Sequence, residues 1–255
     1  MYKVDSLNPK IMKYYLIILL PFALFYGCMQ KDNEQAEKKI NSAYIERLVQ
    51  SAIDSSVAAN NELAGLIDYS LPLNNNYNSL KVDSIKTNSG EVYYFVLLEH
   101  PNPVYNIFAV YDTSLTLLLL DKSLNGNLSA EAVTLSGKPF IKVNEGFISK
   151  DVLVLNRLSL YEPDSSKINL VFRTHTKLAK PDIEYFQELK ELNDSLILTK
   201  MSSSADSPIS NLGDKFSYDS TIKKYKSEKD TFDLFVIKEV AEFKHEAEKT
   251  QLTGQ

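Results

Sequence analysis

The chain lacks tryptophan altogether, has one cysteine, and holds only 8 glycines and 9 prolines among 255 residues. A single cysteine cannot close an internal disulfide, so covalent crosslinks play no part in holding the chain together. So little glycine and proline excludes collagen-like and broadly disordered classes. It also weighs against nucleotide binding, because phosphate cradles need close backbone approach. There is no G-x-S-x-G elbow, no phosphate-binding glycine loop and no H-E-x-x-H. The three histidines, His100, His175 and His245, show no metal-ligand spacing, so neither metal nor cofactor is expected.

What is present suits a folded body. Hydrophobic residues make up 44% of the chain and charged ones 24%, enough to bury a substantial core in one or two domains. The aromatics are Tyr and Phe, many of them within alternating apolar runs. The formal charge is −5, and removing residues 1–27 deletes three lysines and Asp5 to leave −7. A mildly acidic body carries no electrostatic footprint for nucleic acid or for an anionic membrane surface.

The N-terminus reads as a processing signal. Lys10 and Lys13 precede the apolar run 14–26, YYLIILLPFALFY. That run is too short for a span of about 20 residues, and Pro21 interrupts it. A basic segment, a short apolar core and a small residue before a cut site are the parts of a secretory signal. Met12 would serve equally well as a start, placing Lys13 directly before the core. Gly27-Cys28 then resembles a bacterial lipoprotein signal of the relaxed, Bacteroidota-type kind, with Phe25 and Tyr26 where a leucine and a small residue are usual. The resemblance implies that Cys28 becomes the lipid-carrying first residue. The following MQKDNE is similar to the export signal of the same lipoproteins, a lysine followed by acidic residues. Gln30, Lys31, Asp32 and Glu34 match its character, and the resemblance implies an outer-membrane protein at the cell surface, with the periplasmic face as the alternative. Its membrane partner would be reached through the lipid on Cys28.

Behind this signal, 28–39 reads as a flexible lipidated tether and 40–69 as a helical segment, with Ile40, Tyr44, Leu48, Ala52 and Val57 at three- and four-residue spacing. Strand signals then follow in quick succession, separated by turn residues at Ser136-Gly137, Asn144-Glu145-Gly146 and Glu162-Pro163-Asp164. Roughly eight short strands predict an antiparallel meander, sandwich or barrel over 80–200. Ile183, Phe186, Leu189 and Leu192 predict a helix over 181–193, begun by Pro181. The remainder, 201–255, reads as a mobile serine-rich loop, a strand at DTFDLFVIKEV and a terminal helix. The fold class is therefore α+β, mainly β, with an N-terminal helix and one or two C-terminal helices.

Few residues carry chemistry. Glu99 and His100 stand at a strand end beside a two-proline turn, and Arg173 and His175 share a strand face by period-two spacing. Were those strands adjacent, the four would form an acid/base or sugar-binding cluster; otherwise they are polar residues of a half-solvated sheet. Ser149-Lys150 are neighbours, but adjacency does not make a catalytic pair. Glu145-Gly146 suits a hairpin turn and Arg157 an ion pair. Behind Cys28, aspartate precedes serine or threonine at Asp54, Asp83, Asp112, Asp164, Asp194, Asp206, Asp219 and Asp230. Turn chemistry accounts for most of that excess. Ser84, Ser195 and Ser220 also sit in triplets resembling the O-glycosylation acceptor of Bacteroidota-type exported proteins.

These features predict a lipid-anchored surface lipoprotein that acts as a non-catalytic binding or structural module for an envelope protein or a glycan. Two other readings stand beside it. One is a carbohydrate-active or other hydrolase with its site near His100 and His175, and the other is an accessory subunit of an envelope complex.

Overall fold

The computed structural model describes residues 41–53, 79–149 and 153–253. Cys28, the export-signal residues Gln30, Lys31, Asp32 and Glu34, most of the 40–69 segment, and the Lys150 of the serine–lysine pair lie outside the described residues. So does the side chain of His245. The described residues belong to one compact unit.

Its architecture is mainly β with a helix near each end, two antiparallel meanders of four and eight strands. The first sheet runs β1 (Ser79–Lys86), β2 (Val92–Glu99), β3 (Ile107–Tyr111) and β4 (Leu117–Asp121). Its central strands are buried at nearly every position because both faces are covered. Tyr94, Val96 and Leu98 meet helix α1 (Ser42–Ile53) through Ile45, Leu48 and Val49. Tyr93, Phe95 and Leu97, one residue out of phase, face the second sheet. Asn41 caps α1, its Oδ1 accepting from the Tyr44 amide at 2.9 Å.

The second sheet follows chain order through β5 (Asn127–Leu135), β6 (Lys138–Ser149), β7 (Leu153–Asp164), β8 (Lys167–Ala179), β9 (Glu184–Leu192), β10 (Leu196–Ser203), β11 (Lys215–Asp219) and β12 (Lys224–Ser227). It cannot be flat. Strands four places apart in a flat sheet would lie roughly 19 Å from one another, yet the ring of Phe172 on β8 lies 6.4 Å from that of Tyr225 on β12 and 5.0 Å from Phe216 on β11. The sheet curls, and Phe140, Leu158, Leu160, Phe172, Ile197, Phe216 and Tyr225 fill the inside of the curl. The opposite face has two covers. The first sheet packs on Ile141, Val143 and Tyr161. Helix α2 (Thr231–Thr253) packs on Leu155, Leu178 and Met201 through Phe232 and Val236.

Edge strand β5 is protected by the first sheet. Its Leu128 amide donates to Glu99 Oε2 at 2.7 Å and its Ala130 carbonyl accepts from Lys81. Charged groups seated on an edge block pairing with another chain.

Among the described residues twelve strands stand where roughly eight were expected, and five local readings need correction. Residues 181–193 are not a helix but strand β9, where buried Tyr185 and Gln187 alternate with more exposed Phe186 and Glu188. The three-residue apolar spacing is real, but Asn193-Asp194-Ser195 turns this segment back onto β10, and ladder pairing overrides local propensity. The segment boundary at 200 falls inside β10. The serine-rich loop is tied down by buried Ile209 and by Met201, which exchanges backbone hydrogen bonds with Asn211 and Leu212. The segment DTFDLFVIKEV is the first half of α2, not a strand. Phe232 and Val236 are buried one turn apart while Leu234 and Ile237 are exposed, a helical pattern that a continuous apolar run hides. Glu145-Gly146 lies within β6 and makes no turn.

Candidate functional site

The apolar face under the two covers is interrupted by a polar band. Along β6, β7 and β8 the paired positions run Glu145–Arg157–His175 and Val143–Ser159–Arg173. Cross-strand partners share a face, so the two arginines and His175 sit between the part covered by the first sheet and the part covered by α2.

Glu145 is wholly buried and holds Arg157 with two bonds of 2.7 Å, from Nε to Oε2 and from Nη2 to Oε1. The fork of the guanidinium matches the two carboxylate oxygens, the strongest geometry available to such a pair. Oε1 also accepts from the Asn125 amide at 2.9 Å. Arg173 is as fully engaged. Its Nε donates to Ser159 Oγ at 2.8 Å, Nη1 to Ser123 Oγ at 3.2 Å, and Nη2 to Asp121 Oδ2 at 2.8 Å and Tyr161 Oη at 2.9 Å. Burial alone would raise the Asp121 carboxyl, but hydrogen bonds from Ser123, Tyr161 and Arg173 outweigh it and hold the pKa at about 2. Burial likewise raises the Tyr161 hydroxyl, which stays protonated and donates to Asp121 at 2.7 Å.

Both networks reach one segment, residues 121–128, where the chain crosses from β4 in the first sheet to β5 in the second. Buried backbone without ladder partners must find others, and side chains supply them. Arg157 Nη2 donates to the Ser123 carbonyl. Asn106, fully buried, donates to the Leu124 and Gly126 carbonyls and accepts from the His100 amide at 2.8 Å. Gly126 takes φ of +65°, and a Cβ there would stand 2.2 Å from the Gly146 carbonyl oxygen, so only glycine fits the crossing.

Of the four residues singled out from sequence, Glu99, Arg173 and, through Asn106, His100 therefore belong to the crossing. His100 Nδ1 accepts from the Asn102 amide at 2.9 Å, and its ring meets Tyr105 edge-on. His175 is engaged elsewhere. Beyond the Lys177–Phe186 pair, β8 and β9 stop pairing toward the N-terminal end of β8, which leaves the His175 backbone without a β9 partner. Gln187 Nε2 donates to the His175 carbonyl at 2.9 Å. Asp233 Oδ1, from the first turn of α2, accepts the His175 amide and meets its Nδ1, each at 2.7 Å. None of the three surface grooves described is lined by Glu99, His100, Arg173 or His175. No group of three or more potential metal ligands occurs among the described residues.

Asp121, Asn106, Gln187 and Asp233 complete these networks, and sequence reading missed all four. No local signal marks them, since Arg173 and Asp121 are 52 residues apart and His175 and Asp233 are 58 apart. The Arg157 ion pair was anticipated, its partner not. The candidate acceptor serines are placed more simply. Ser195 and Ser220 are exposed in the β9–β10 and β11–β12 turns, while Ser84 is half-buried within β1. Asp112 and Asp219 accept backbone amides two residues on, the turn chemistry expected of aspartate before serine or threonine.

One carboxylate is poorly served. Asp230, at the start of α2 with φ of +46°, has a buried Oδ1 with no hydrogen bond. Burial first, then the charges of Asp233 and Asp214, push its pKa up to about 6, and His175 pulls the other way. A carboxyl raised in the folded state favours folding fully below its unfolded value near 3.8 and loses that contribution as pH climbs through 6. Asp230→Asn, which tolerates the same backbone conformation, is expected to stabilise the protein by about 1 kcal/mol at pH 7.5 after allowance for the solvent-facing part of the group. Urea denaturation at pH 7.5 and pH 4 checks this; an equal effect at both values would sink it.

Comparison with family models, with curated proteins and with solved structures finds no match to this chain, so its own geometry must carry the reading.

Proposed function

We propose that the protein is a lipid-anchored outer-membrane lipoprotein, displayed at the cell surface, whose β-rich body is a non-catalytic binding or structural module. The observation that carries the anchor is Cys28, directly after a basic and apolar leader and directly before Gln30, Lys31, Asp32 and Glu34. Anchoring by lipid suits a chain in which no described helix is long and apolar enough to cross a membrane. Each buried methylene contributes about 0.8 kcal/mol, and a single acyl chain holds only marginally, so a cysteine carrying several chains anchors durably.

The non-catalytic reading is supported by where the polar residues are committed. Arg157 and Arg173 are tied to carboxylates and to the inter-sheet crossing, and Glu99 to a strand edge. A hydrolytic reading keeps one observation, the Asp233–His175 pair, whose Nδ1 contact resembles the orienting half of an acid/base dyad. That same carboxylate oxygen also accepts the His175 backbone amide, which a structural role requires and a catalytic one does not.

Cys28→Ala is expected to abolish labelling by radioactive palmitate and to move the protein from the membrane pellet to the soluble fraction. Retention in the pellet without label would defeat the anchor. Replacing Lys31 and Asp32 with alanine is expected to preserve labelling and to reduce digestion by protease added to intact cells. Unchanged digestion would place surface display outside this motif.

A further inference from the structure

We propose that a groove across the inner face of the curled sheet is a binding site for neutral saccharides, an inference that rests on the binding-module reading above. The groove encloses about 320 Å³ and is lined by Asn127, Ser129, Asn144, Gly146, Asn156 and Thr176 among others.

Its position follows from register. Asn127 pairs with Gly146, Gly146 with Asn156, Asn156 with Lys177, and Lys177 with Phe186. Partners in register share a face, so these residues form one stripe perpendicular to five strands. Along β6 the same face carries Phe140 at one end and Asn144 and Gly146 at the other. The inside of the curl thus changes from an apolar core to a row of amides.

The row has the chemistry of a sugar site. A carboxamide both donates and accepts, as a pair of neighbouring hydroxyls does. Among the described residues, no hydrogen bond engages the side chains of Asn127, Asn156 or Thr176, and Asn144 commits only one donor, to Ser129. Gly146 supplies a floor: a Cβ there would come within 3.3 Å of Asn156 Oδ1 and fill the trough between the amides. The stripe continues past the groove to Lys177 and half-buried Phe186, which bound its β9 side and do not line it.

Among the described residues, no free charge faces the groove to recruit an anion or a cation. The Glu145 carboxylate points to the opposite face and is held by Arg157. Lys177 is neutralised by Glu184 at 2.7 Å and lies 5.2 Å from the centre of the Phe186 ring. An extended peptide would be expected along a free strand edge, whereas this row crosses the strands.

The test is saturation-transfer NMR on the full-length protein in a sugar-free detergent. The probes are maltotetraose, cellotetraose, mannotetraose and N-acetylchitotetraose, each at about 5 mM, suited to a dissociation constant of roughly 0.1–1 mM. At least one should receive saturation from the protein. Asn156→Ala and Gly146→Ala should each weaken its binding by about tenfold or more, with an unchanged thermal transition, and Thr176→Ala supplies an independent variant should either fail to fold. No transfer to any of the four, or transfer that all these variants leave intact, would overturn the proposal. Neither result touches the anchor, which fractionation of Cys28→Ala reads separately.

Discussion

Glu145→Ala is expected to lower the unfolding free energy by about 3–5 kcal/mol, the cost of breaking a buried ion pair by removing one partner. In a domain of this size that corresponds to a fall in Tm of roughly 6–20 °C. The loss has three sources. The Arg157 guanidinium, whose side chain is only 19% exposed, is left without its bidentate acceptor. The Asn125 amide loses the Oε1 that it donates to. The crossing from β4 to β5 then loses one of the side chains that fix it between the sheets. A second variant separates the worth of the pair from the penalty of an orphaned charge. Changing Glu145 to Leu together with Arg157 to Met removes both charges, and buried pairs replaced by apolar residues of similar size are often neutral in stability. Thermal and urea unfolding should therefore show the double variant more stable than Glu145→Ala. Equal losses would mean that the carboxylate acts through the Asn125 amide alone.

The concentration of polar side chains at the crossing has a topological cause. Each meander satisfies its own backbone by pairing strands neighbouring in sequence, so side chains are needed most where the chain leaves one sheet for the other and where a sheet splays. Residues 121–128 are the first place and His175 the second. Both are served by side chains from distant elements, with Asn106, Glu145 and Arg157 at one and Gln187 and Asp233 at the other. Four residues that could have formed an active site divide between these two tasks.

What could be read beforehand follows from the same distinction. Strands β1 to β8 were legible because alternation and turn residues are local, and α1 because its apolar stripe repeats at helical spacing. Strand β9 was misread because Ile183, Phe186, Leu189 and Leu192 satisfy a helical period, and only its ladder with β10 decides otherwise. The first half of α2 was misread because Leu234 and Ile237 make it apolar on its exposed side as well. The acid/base candidates Glu99, His100, Arg173 and His175 stand out in the sequence as polar residues among apolar strands. Their partners were not legible, since an ion pair across some fifty residues leaves no trace in spacing.

Asp121→Asn is expected to destabilise the protein by about 2–4 kcal/mol at pH 7, because Arg173 loses its counter-charge while remaining largely buried. The same site predicts how the protein responds to acid. The Asp121 carboxyl is held at about 2, against an ordinary value near 3.8. A carboxyl depressed by folding favours the folded state above its unfolded pKa, and that contribution disappears as pH falls through the folded value. Discounted for partial solvent contact, Asp121 contributes about 1–2 kcal/mol that is complete at pH 5 and nearly gone at pH 2. Asp230 works in the opposite sense, since its raised carboxyl gains stability as pH falls from 6 towards 4. The two contributions therefore predict a profile in which the protein firms slightly on mild acidification and then weakens below about pH 4. Urea unfolding at pH values from 7.5 to 2.5 should show this turn in the wild type. In Asp121→Asn the weakening below pH 4 should shrink, whereas in Asp230→Asn the gain between pH 6 and pH 4 should vanish. If Asp121→Asn retains the full acid sensitivity of the wild type, the carboxylate is not the group that links the Arg173 network to folding. The arginine would then be held by Ser159, Ser123 and Tyr161 without it.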